Sequence, residues 1–129
     1  TPLPCDKLAP LVTQITTLPI AAIEASNDDC SFTVNPPGDS STSGFGGIVD
    51  IRRESADAAD YDQIANLFTG TDGVDVPGIG DRARRTKSGN LMYAVHGGQL
   101  FAVQQELLVS GLDAPGNAVK LLQALFSLV

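Results

Sequence analysis

Two apolar runs, Leu91 to Val95 and Leu100 to Leu107, are separated only by His96-Gly97-Gly98-Gln99. A connection that short joins antiparallel strands, because parallel strands need a long crossover. Just upstream, Val76-Pro77-Gly78-Ile79-Gly80-Asp81 reads as a backbone turn that requires positive φ. A basic segment from Asp81 to Lys87 follows, and Ser88-Gly89-Asn90 is a hairpin turn. The stretch from Val76 to Leu107 therefore predicts a meander at the centre of a sheet, with the rest of the chain packed against it.

The flanking segments supply helices and further strands. Asp6 is placed to cap a helix from about Lys7 to Thr17, with Leu8, Leu11, Val12 and Ile15 on one face and Pro10 in its first turn. Pro19 ends it. Ile20 to Ala25 and Ser31 to Val34 read as strands around the Asn27-Asp28-Asp29 turn. Ile48 to Arg53 reads as a third, with Ile48, Asp50 and Arg52 on one side. Asn35 to Gly47 is rich in Pro, Gly and Ser and reads as a flexible exposed loop; it lacks the Gly-Lys-Ser/Thr ending of a phosphate loop. Ser55 is a candidate cap for a helix to about Phe68, whose buried stripe would be Tyr61, Ile64, Ala65 and Phe68. Asp113 and Pro115 start a last helix that runs to about Ser127, with Leu121, Leu122 and Leu125 at core spacing.

The order is α-βββ-α-βββ-α. It predicts one domain, residues 1–129, of the α+β class: a two-layer sandwich in which an antiparallel sheet of about six strands carries the helices on one face.

Composition narrows the function. The formal net charge is −7, a surface that repels phosphate backbones and anionic membranes, so nucleic acid is not an expected partner. No apolar run is long enough to span a bilayer. No signal peptide is visible, and the chain starts at Thr1 without Met; this reads as a mature form whose targeting segment has been removed. Two cysteines, Cys5 and Cys30, in a small chain of that kind point to an oxidising compartment and one disulfide; buried free thiols are the alternative. Two Cys and one distant His supply too few ligands for zinc.

At Pro4-Cys5-Asp6-Lys7-Leu8, Cys30-Ser31-Phe32 and Val76-Pro77-Gly78-Ile79-Gly80-Asp81-Arg82-Ala83, the sequence resembles a group of short actinobacterial cell-envelope proteins, many of them lipoproteins filed as domains of unknown function. The resemblance extends to the strand pair across Gly97-Gly98 and the apolar last helix. It implies a secreted or lipid-anchored location and a bond between Cys5 and Cys30. It implies no known activity and no catalytic residues. The lipid-bearing cysteine of such proteins would lie upstream of Thr1, so any membrane tether would come through a segment there; no lipobox surrounds Cys5.

Six of the eight cations fall in two segments, Arg52 and Arg53, then Arg82, Arg84, Arg85 and Lys87. If their strands are neighbours, these residues form a basic stripe for a carboxylate, a phosphate or an acidic partner. The alternative is that they pair with Asp50, Glu54, Asp57 and Asp81 on a solvated face. His96 is the only histidine and reads as an exposed turn residue; no Gly-x-Ser-x-Gly motif accompanies it. Asp57, Asp60 and Asp62, and Asp72 with Asp75, lack the spaced ligands and terminal Glu of an EF-hand loop. No metal or cofactor is expected. Val76 to Asp81 has two glycines without the third of a dinucleotide fingerprint.

The reading is a non-enzymatic extracytoplasmic binding module whose partner is a protein or small ligand of the cell envelope. The sheet face opposite the helices, or the Asn35–Gly47 loop, would meet that partner. One alternative is a carrier with an apolar pocket between helices and sheet, lined by residues such as Leu67, Phe68, Phe101 and Leu122. Another is an accessory subunit of a larger envelope assembly, which predicts an exposed apolar patch.

Overall fold

The computed structural model describes residues 1–38 and 45–129, and for residues 55–57 the backbone alone. The strands are β1 (Ile20–Ala25), β2 (Asp29–Val34), β3 (Gly47–Asp57), β4 (Val74–Asp75), β5 (Arg82–Arg85), β6 (Leu91–His96) and β7 (Gln99–Leu107). The helices are α1 (Cys5–Thr16), α2 (Tyr61–Thr69) and α3 (Ala114–Leu128). The fold is α+β, as expected. Its single sheet has the order β1-β2-β3-β7-β6-β5-β4, and every neighbouring pair is antiparallel.

Two meanders, β1-β2-β3 and β4-β5-β6-β7, are joined along β3 and β7. The middle strand of the seven is β7, so the Val76–Leu107 meander reaches the centre with its last strand and fills one half of the sheet. The additional strand is β4, two residues paired with β5. The turn before β5 has the expected positive φ at Gly78 and Gly80. At Gly80 a Cβ would also collide with the Val95 carbonyl, while Ile79 is buried in the core. The β6–β7 hairpin turns at Gly97 and Gly98, both at positive φ, as a two-residue connection requires.

Alternation along the strands separates two cores. On one face Cys30, Phe32, Val49, Ile51, Met92, Phe101 and Val103 meet Leu8 and Val12 of α1 and Ala118, Leu121, Leu122 and Leu125 of α3. On the other, Tyr93, Val95, Leu100 and Ala102 meet Tyr61 and Ala65 of α2. The expectation of helices on one face thus describes α1 and α3, whereas α2 covers part of the opposite face. Both kinds of position on β6 and β7 are apolar, which lets those two strands be buried from both sides.

Element ends shift for physical reasons. α1 starts at Cys5, two residues early, because Cys5 is tied to Cys30 with Cα atoms 5.5 Å apart. The amides of Lys7 and Leu8 donate to the Pro4 carbonyl, and Asp6 sits in the first turn instead of capping. Pro10 consequently lies in the second turn, leaving the exposed Asp6 carbonyl to water. The helix expected from Ser55 begins only at Tyr61, because β3 continues to Asp57, opposite Gln99. Pairing with the central strand overrides the helical preference of that Ala-containing segment. α3 begins as predicted: an Asp113 carboxylate oxygen accepts from the Gly116 amide at 3.1 Å. The buried Gln105 ties this helix to the sheet by donating to the Ala114 carbonyl at 2.9 Å.

His96 is not a bare turn residue. It ends β6 half-buried, stacked on Phe126 of α3 at 4.4 Å, and Phe126 meets Phe101 edge-on at 5.4 Å.

Candidate functional site

β3 crosses the sheet with Ile48, Asp50 and Arg52 on the face that α2 half covers, as alternation predicts, and its extension to Asp57 adds Glu54 to that face. Its neighbours bring Asp29 opposite Arg52 and Ser31 opposite Asp50 from β2, and Gln104 opposite Asp50 from β7. Arg52 is the hub. It donates to Glu54 at 2.7 Å, to Asp50 at 3.0 Å and to Gln104 at 3.1 Å. Burial opposes its charge, but the bonds to Glu54 and Asp50 outweigh that and raise its pKa. A guanidinium so engaged has little capacity left for an outside anion.

Asp29 shares this face with Asp50, whose negative charge opposes its ionisation, and its Oδ1 is buried. Burial, then the neighbouring Asp50 carboxylate, push Asp29 up from 3.8 to about 7. Its pKa is thus higher folded than unfolded, so its contribution to stability is fully present below pH 4. That contribution falls as pH rises through 7. Asp29→Asn should remove this limb, with the variant gaining on the parent by about 1–2 kcal/mol between pH 5 and 8 after solvent screening. Urea titrations at the two pH values check it; parallel profiles for both proteins would refute the raised pKa of Asp29.

The edge of α2 and the strands beneath it enclose a cleft of about 430 Å³. Ile64 and Phe68 form one wall, Leu91, Tyr93 and Gln104 the floor, and Arg52 and Glu54 the far rim. Phe68 leans on Tyr93 with ring centroids 6.1 Å apart, yet it remains 55% exposed, and Leu67 is 70% exposed. The predicted buried stripe of this helix therefore holds at Tyr61 and Ala65 and fails at Phe68. The helix is only nine residues long, and its inward face points Tyr61, Ala65 and Thr69 at the sheet. Ile64, Leu67 and Phe68 make a second apolar stripe beside it.

The six cations do not form one stripe. β3 and β5 are separated by β7 and β6. Arg53 points to the other face and binds Asp28 at 2.8 Å and the carbonyls of Thr1 and Asn27. Arg82 and Arg84 hold α2 in place. Arg82 pairs with Asp62 at 3.1 Å and lies 4.4 Å over the Tyr61 ring. Arg84 pairs with Asp75 at 2.9 Å and donates to the Thr69 hydroxyl and the Gly70 carbonyl, a cation at the helix C-terminus. Arg85 donates to the carbonyls of Thr86 and Lys87, and Lys87 is exposed in that turn. Only Arg52 of the six belongs to the cleft.

A second depression, about 520 Å³, lies between Tyr61, Asp62 and the Val76–Asp81 turn. The cavity posited for a carrier is not assembled. Phe101 and Leu122 are buried in the α1–α3 core, on the far side of the sheet from Leu67 and Phe68. Residues 39–44 of the Asn35–Gly47 loop and the side chains of Ser55 and Asp57 lie outside the described residues. Among the described residues no cluster of His, Cys, Asp or Glu is arranged to hold a metal, and no helix is long and apolar enough to cross a membrane. The disulfide favours an oxidising, extracytoplasmic setting.

Sequence reasoning missed Asp29, Glu54, Tyr93, Leu91 and Gln104 as parts of a site. The signal available was opposite charges at alternate positions of one strand, Asp50-Arg52-Glu54; the one acid that β2 adds, Asp29, comes from pairing across a long loop. Compared with family models, with curated proteins and with solved structures, the chain matches none.

Proposed function

We propose that this chain is a non-enzymatic, extracytoplasmic binding module of an actinobacterial cell-envelope protein, and that it meets its partner with the cleft beside α2. The observation that carries this reading is the exposure of Phe68 on the wall of a preformed cleft, with Leu67 exposed next to it on the same helix. Leaving two large apolar side chains in water forgoes several kcal/mol of burial, which a partner recovers. The disulfide supports the extracytoplasmic part of the reading. The actinobacterial assignment rests on the short motifs around Cys5, Cys30 and Val76–Ala83. An accessory subunit of a larger assembly is favoured by the same apolar patch and differs in being stoichiometric and permanent.

A photoreactive side chain at position 68 tests both readings. Irradiation of envelope fractions should give an adduct that is absent when the group is placed at exposed Lys120 of α3. If salt and dilution are applied before irradiation, a module no longer gives the adduct, whereas a subunit that stays bound to its partner still gives it. Equal labelling from both positions would dismiss the cleft as the binding surface.

A further inference from the structure

The two faces of the sheet are covered unequally. One carries two helices, α1 and α3, packed against each other. The other carries α2 over β5 and β6, and among the described residues no α-helix covers β1, β2 or the body of β3 on this face. Three strands span about 14 Å, slightly more than the width of one helix with its side chains. The apolar wall of this gap is Ile64 and Phe68, and Leu67 is exposed on the same helix. Its floor is polar and half-exposed. Glu24, Asp29, Asp50, Glu54 and Glu106 face it, against the single cation Arg52, which Asp50 and Glu54 already neutralise.

From this juxtaposition we infer that the face docks a basic amphipathic helix of a partner protein, laid beside α2; the inference rests on the binding-module reading above. The apolar side of such a helix covers Ile64, Leu67 and Phe68. Its Lys or Arg side chains reach the acids of β1, β2 and β3. A second copy of this chain is disfavoured, because the acids of the two faces would oppose each other. An anionic membrane is disfavoured by the same charges.

The probe is a Leu/Lys amphipathic peptide of about 18 residues, long enough to be helical, with a Leu/Glu peptide of the same pattern as its control. Each is titrated into isotope-labelled, disulfide-intact protein at about 0.15 M salt. The Leu/Lys peptide should give saturable amide shifts concentrated in α2 and β3. Leu67→Ser with Phe68→Ser should weaken it by about tenfold or more. Leu67→Ser alone, at an exposed side chain, keeps the fold and should weaken it measurably. Shifts spread evenly over the acidic surface, or unchanged affinity in both variants, would overturn the inference. Equal binding of the Leu/Glu peptide at the same residues would overturn the basic-helix assignment and leave the cleft a binding surface. Loss of the position-68 adduct, by contrast, removes the binding reading itself.

Discussion

Replacing Cys5 and Cys30 together by Ala should destabilise the protein by about 3.5 kcal/mol, the chain entropy of a closed loop of about 26 residues. The bond joins the first turn of α1 to the β2 strand, and both sulfur-bearing residues are buried in the larger core. Its loss therefore frees the N-terminal helix from the sheet as well as lengthening the accessible unfolded ensemble. α1 has no side-chain cap and holds Pro10 in its second turn, so little in its own sequence keeps it wound once untethered. Denaturant titration with and without reductant measures the effect. The double variant should resemble the reduced protein, and reductant should leave the variant unchanged. A reduced protein as stable as the oxidised one would refute the structural role of the bond.

Phe101→Ala should cost about 3–5 kcal/mol. Phe101 lies on the middle strand of the sheet at 1% exposure, among the largest fully buried side chains. Its ring also backs Phe126, which in turn stacks on His96. Removing it opens a cavity between β7 and α3 that only rearrangement of α3 can fill. Thermal or urea unfolding checks the loss, and Phe101→Leu should recover more than half of it. A loss below about 1 kcal/mol would mean that the core collapses onto the gap.

What the sequence made legible was local. The β6–β7 hairpin followed from Gly97-Gly98, α3 from Asp113 and Pro115, and the positive-φ turn from Gly78 and Gly80. Each is a signal contained within a few residues. The joining of β3 to β7 was not legible, because no short-range feature links residues so far apart in the chain. The start of α2 was misplaced for the same reason: Ser55 to Asp57 favours a helix locally and is captured by the central strand. The face chosen by α2 was hidden too. It depends on Arg82 and Arg84, which read as candidates for a stripe and prove to be the clamps that hold that helix. The cleft combines residues from α2, β3, β6 and β7, so alternation along the predicted strand revealed only Ile48, Asp50 and Arg52 as sharing a face.

The seam between β3 and β7 also sets the timetable of assembly. Its partners run from Gly47 with Leu107 to Asp57 with Gln99, so the first meander waits with an unpaired edge until the last strand arrives. Such non-local closure is slow, in the range of milliseconds to seconds for domains of this kind. During synthesis or translocation the early strands must be kept apart from other chains, since an open edge invites foreign pairing. Maturation of this protein is thereby gated by the emergence of its C-terminal third.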